Sequence, residues 1–106
     1  MKSELTSKKD FETKVHNSEG GMLLLFHSDN PAEDDIKIYI NEAKKKCGYN
    51  YPVYTINIDR VFLSKVDIQK YQEDVVVICC TVLMNDKVLY RKVNPQPAEL
   101  WKEIEC

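Results

Sequence analysis

The sequence has no surplus of charge, no long apolar run and no cysteines at the spacing of a zinc site or a disulfide framework. Each absence removes a class of function. Fifteen Lys and Arg against 17 Asp and Glu leave a net charge of -2, which gives no electrostatic footprint for a phosphate backbone, so nucleic-acid binding is not expected. The longest apolar stretch, Val75 to Met84, is broken by Thr81 and is about half of the roughly 20 residues a spanning helix needs. It reads as a buried strand, and no membrane partner is expected. The polar start, MKSELTSKKDFE, has no apolar core of the secretory kind, which predicts a cytoplasmic protein. Cys47, Cys79, Cys80 and Cys106 then read as reduced thiols, with no metal and no cofactor implied.

What is present is ordinary globular composition, 43% hydrophobic and 30% charged, in 106 residues, the size of one domain spanning 1–106. Residues Ser3 to Thr6 suit a short edge strand. Ser7 with Asp10 three residues on resembles a helix N-cap, and Phe11 and Val15 share the buried face of a helix from Lys8 to about His16. Gly20 and Gly21 close the following turn. Met22 to Phe26 is continuously apolar, the pattern of a central strand buried on both faces.

After the loop HSDNPAEDD, Pro31 is placed to open a second helix behind an Asp29 or Asn30 cap. Glu33, Asp34 and Asp35 complement its positive end, and Lys44 to Lys46 its negative end. Ile36, Ile40, Ala43 and Cys47 form its core face. Tyr51 to Ile58 is a further strand, and Val61, Leu63, Val66, Ile68 and Tyr71 suggest a short helix before the strand at Val75. Asn85-Asp86 is a hairpin turn into Lys87 to Val93, and Pro95 and Pro97 introduce a last helix, Ala98 to Glu105. The order is β-α-β-α-β-α-β-β-α, an α/β fold.

That order resembles the thioredoxin-like family over nearly the whole chain. The resemblance is carried by Leu5-Thr6-Ser7 with Phe11 and Val15, the glycine-bounded strand ending in Phe26, Thr55-Ile56-Asn57-Ile58-Asp59, and Thr81-Val82-Leu83 before the hairpin. It implies a central mixed sheet with helices on both faces. It also implies where a Cys-x-x-Cys pair would stand at the start of the second helix, where the helix end favours a thiolate. Those positions correspond to Pro31 and Asp34, with Asn30 in place of the preceding tryptophan. Leu25 stands for the family's buried aspartate and Cys80 for its cis proline. The resemblance is therefore to a member lacking the Cys-x-x-Cys site, and a dithiol oxidoreductase is not expected.

Other candidates are weaker. His27, Ser28 and Asp29 are adjacent in sequence and cannot converge as a triad. Three consecutive acids in one helical turn point over too wide an arc for a metal cluster, and tyrosines Tyr49, Tyr51 and Tyr54 read as a strand rim. Cys47 reads as core and Cys106 as an incidental terminal thiol.

A non-catalytic, redox-inactive binding or scaffolding module follows, contacting an unidentified protein partner through Asn30, Pro31, Ala32, Glu33 and Asp34 together with Cys79, Cys80 and Thr81. The resemblance places these two segments in one groove. The alternative from another class is a thiol enzyme or redox sensor using Cys80, with or without Cys79, as its single nucleophile. The bond before Cys80 is expected to be trans, because a cis bond before a non-proline residue costs about 2.5–4 kcal/mol.

Overall fold

A computed structural model describes residues 4–17, 19–47, 51–72 and 78–93. The expected order holds across them. β1 (Glu4–Leu5) leads into α1 (Lys8–Phe11), which continues as a wider π-type segment over Glu12–His16. Then come β2 (Gly21–His27), α2 (Glu33–Cys47), β3 (Val53–Asn57), α3 (Lys65–Tyr71), β4 (Ile78–Met84) and β5 (Lys87–Val93). The last helix expected at Ala98 to Glu105 lies outside the described residues.

The five strands form one mixed sheet in the order β1-β3-β2-β4-β5. β3 runs parallel to β1 and β2, while β4 is antiparallel to β2 and β5 to β4. β2 has a neighbour on each side and is buried from Met22 to His27, as its unbroken apolar run requires. Alternation sends Met22, Leu24 and Phe26 to the face that holds Phe11, Val15 and Tyr71, and Leu23 and Leu25 to the face of Ala43 and Cys47. One core therefore lies under α1 and α3, and the other under α2.

Local chemistry sets the frame. The Ser7 and Ser64 hydroxyls accept the N–H of Asp10 at 3.0 Å and of Asp67 at 3.2 Å, capping α1 and α3. Asn85 and Asp86 take φ of 50° and 64°, the left-handed pair of a tight hairpin. The Asn85 side chain accepts the Gly20 N–H at 2.7 Å, and the Asn85 N–H donates to the Gly20 carbonyl at 2.9 Å. This pins the start of β2 to the end of β4 and fixes their register, Gly21 opposite Met84. Gly21 itself has no room for a side chain, because a Cβ would overlap the Tyr51 ring.

Four expectations need correction. α2 begins at Glu33, with Pro31 left in the bend before it, since the Ala32 carbonyl takes the N–H groups of Asp35 and Ile36 at 3.1 and 3.2 Å. β3 is shorter than Tyr51 to Ile58, running only Val53–Asn57. In α3, Val66 and Ile68 face outward, and Asp67 and Tyr71, four residues apart, face inward. Asp67 can be buried because its carboxylate lies 3.0 Å from His16 Nε2. Finally, Cys47 is core, as expected, but is disulfide-bonded and not a reduced thiol.

Candidate functional site

The loop after β2 is held to the end of β3 by a polar network. Asn57 Nδ2 donates to Asp29 Oδ1 at 2.8 Å, Arg60 Nε donates to the same oxygen at 3.1 Å, and the Asp29 N–H donates to Asp59 Oδ2 at 2.7 Å. The Asp59 N–H returns to Asn57 Oδ1 at 2.9 Å, and the Ile58 N–H reaches the His27 carbonyl at 2.8 Å. Hydrogen bonds from Asn57, then Arg60, hold the Asp29 carboxyl below its usual pKa. The loop is thus a braced structure at the sheet end.

From this brace the chain presents Asn30, Ala32, Glu33 and Asp34 as exposed residues and Pro31 as half-buried. Cys79, Cys80 and Thr81 are elsewhere. All three are 0% exposed in the middle of β4, paired with Phe26, Leu25 and Leu24 on one side and with Val93, Lys92 and Arg91 on the other. The residue of β4 that reaches the loop end of the sheet is Ile78, opposite His27. Cys80 therefore does not lie in a loop facing the former active site. The physical reason is register: the hairpin pinned at Gly20 and Asn85 sets Cys80 opposite Leu25, inside the sheet. Among the described residues, the two expected segments do not share a surface.

The vicinal thiols are also on opposite faces. Cys79 belongs to the core under α1 and α3, and Cys80 to the core under α2. The peptide bond between them is trans, as expected. Burial pushes the Cys80 thiol well above its usual pKa, with Cys79 adding to the shift. Thr81 donates its hydroxyl to the Tyr71 carbonyl at 2.6 Å, satisfying an orphan carbonyl at the end of α3.

Sequence reasoning missed Asn57, Asp59 and Arg60 as partners of the loop. The available signal was period two: Thr55, Asn57 and Asp59 are polar at alternate positions beside a buried strand. It also missed a half-open cavity of about 700 Å³ under α2, reached by Glu4, Thr55, Asn57, His27 and Lys37. Among the described residues, no three His, Cys, Asp or Glu side chains gather as metal ligands, and no helix is long and apolar enough to cross a membrane.

Solved structures align along almost the entire chain. A thioredoxin of Malassezia sympodialis superposes with a TM-score of 0.70 at 12% identity, over 94% of this chain and 84% of that one. A Plasmodium falciparum thioredoxin gives 0.70 at 14% identity, covering 94% and 92% of the two chains. This chain has a thioredoxin-like fold. A reduced Schistosoma mansoni thioredoxin pre-protein agrees, with a TM-score of 0.68 at 13% identity over 92% of this chain and 89% of that one. No family model and no curated protein sequence matches. At such identities the likeness is one of fold, and the activity of this thioredoxin-like chain has to be argued from its own residues.

Proposed function

We propose that the chain is a non-catalytic, redox-inactive thioredoxin-like module that binds a protein partner at the loop Asn30 to Asp34. One observation carries this reading, the position of the thiols. None lies between His27 and Lys46, and Cys79 and Cys80 are buried on opposite faces of the sheet. A dithiol cycle needs two thiols that reach each other and an accessible thiolate. Glu33, Asp34 and Asp35 in the first turn of α2 would oppose a thiolate nearby.

The partner surface extends from the loop across Arg60 to Phe62, which is 81% exposed, and Val66. Large exposed apolar side chains beside a braced polar loop suit a protein contact better than a small-molecule reaction. Cys79, Cys80 and Thr81 are core residues and lie outside this surface. The alternative, a single-thiol enzyme or sensor at Cys80, is opposed by that burial.

The test is an insulin-reduction assay alongside photo-crosslinking from position 30 in native cells. The expected result is no reduction and a discrete adduct that Phe62→Asp abolishes. Catalytic reduction, lost on Cys80→Ser, would overturn the reading. The expected setting is cytoplasmic, whereas a disulfide at Cys47 favours an oxidising one. Thiol counting on freshly lysed, denatured protein separates the two settings.

A further inference from the structure

The cavity under α2 shares Pro31 and Glu33 with the loop and extends from them along α2 to Glu4 of β1 and Thr55 of β3. Its floor is polar where the rest of that face is apolar. Thr55 and His27 line it while being only 5% and 6% exposed. His27 Nδ1 is 2.9 Å from the Ser28 carbonyl oxygen, so Nδ1 carries the proton and donates, and Nε2 is left as an acceptor. Neither Nε2 nor the Thr55 hydroxyl has a partner among the described residues. Both groups line the open cavity with hydrogen-bonding capacity to spare and are not sealed into the core, so a ligand that enters can bond to them.

The charges on the rim indicate what enters. Asp29 and Arg60 are joined at 3.1 Å and offset each other. Glu4, Glu33 and Lys37 make no ion pair among the described residues, although Glu33 and Lys37 are one turn apart on α2. Two carboxylates and an imidazole acceptor thus oppose one ammonium. Ile36 and Ile40, both half-buried, supply an apolar wall. An anionic ligand would meet like charge and a lone pair.

We propose that this cavity binds an organic cation, an ammonium or guanidinium on an aliphatic stem. The stem packs along Ile36 and Ile40, the head donates to His27 Nε2, and the carboxylates of Glu4 and Glu33 share its charge. The same chemistry is offered by a free amine and by an arginine or lysine side chain of a peptide.

Two probes distinguish these sources, agmatine and the blocked tripeptide Ac-Gly-Arg-Gly-NH2, with glutarate as the control of opposite charge. Each is titrated into the 15N-labelled full chain. The expected result is saturable shifts at the amides of His27, Thr55 and Asn57 with a dissociation constant of about 1 mM or tighter for at least one cation, and none with glutarate. Tighter binding of the tripeptide assigns the site to a peptide side chain, and tighter binding of agmatine to a free amine. Glu4→Gln and Glu33→Gln, both at exposed positions that leave the core intact, each weaken binding roughly twofold to fivefold, while Lys37→Gln strengthens it. No saturation, equal response to glutarate, or indifference to all three variants overturns the proposal. Partner crosslinking at the loop is read separately, so either result can fail alone.

Discussion

The two faces of the sheet are built from the same strands and put to opposite uses. Under α1 and α3 the face is closed by aromatic rings: Phe11 meets Phe26 at 6.3 Å and Tyr71 edge-on at 5.5 Å between centroids. Charged and hydroxyl groups here are paired, Asp67 with His16, and the Tyr71 hydroxyl and Lys70 with Asp86. Under α2 the buried residues are smaller, Ala43, Cys47 and Cys80, and the floor toward β1 turns polar at Thr55 and Asn57. One face spends its side chains on stability. The other leaves an open cavity with a polar floor, a feature of binding sites.

The largest test of this contrast is truncation on the closed face. Phe11→Ala removes a ring that is 0% exposed and touches two others, so a loss of about 3–5 kcal/mol is expected in urea unfolding. Ile36→Ala, on the half-buried wall of the cavity, is expected to cost much less because its site is already open to water. Equal losses would abolish the distinction between the faces.

Next in size is the buried carboxylate. Asp67 is 5% exposed and depends on His16 and on the Ser64 cap geometry. Asp67→Ala leaves a half-exposed histidine without its partner and is expected to cost about 1–3 kcal/mol. Recovery of that loss in the double variant with His16→Ala, measured as a thermodynamic cycle, would locate the energy in the pair.

Much of this architecture was legible because it rests on local rules. The Ser7 cap, the unbroken run Met22 to Phe26, the left-handed Asn85-Asp86 turn and the Ala43–Cys47 face follow from short-range sterics and periodicity. The misplaced elements depend on distant partners. Val66 and Ile68 helped to suggest a helix, but they do not show which side α3 buries: Asp67 turns inward because a histidine 51 residues away receives it. Cys80 was placed in the groove by resemblance, whereas the pairing of β4 with β2, pinned at Gly20 and Asn85, sets it opposite Leu25 inside the sheet. The loop itself was found at the right place, but its brace was not: the alternate polar residues Thr55, Asn57 and Asp59 mark one partner, and only the fold brings them to a loop about 30 residues away.

The closed face also predicts a pH response. Asp86 accepts from Lys70 Nζ at 2.7 Å and from the Tyr71 hydroxyl, and its carboxyl is held below the usual value even though partial burial acts the other way. A depressed folded pKa contributes stability that is present above the unfolded value near 3.9 and is lost as pH falls through the folded one. Wild-type protein is therefore expected to exceed Asp86→Asn in stability at neutral pH, and the gap should shrink as pH falls below about 4. A gap that stays constant down to pH 3 would show that the carboxylate charge is not what holds the hairpin to α3.

The smallest expected effect lies on the open face and is the most diagnostic of its role. Glu33 and Lys37 are exposed, make no ion pair among the described residues, and stand at the rim of the cavity. Glu33 also sits in the first turn of α2, where its charge favours the helix by about 0.3–1 kcal/mol at most, a gain shared with Asp34 and Asp35. Glu33→Gln and Lys37→Gln are accordingly expected to change stability by less than about 0.5 kcal/mol. Residues retained for packing would show a cost in unfolding. Residues retained for a ligand show it only in binding, and the two unfolding curves, overlaid on wild type, separate these cases before any ligand is known.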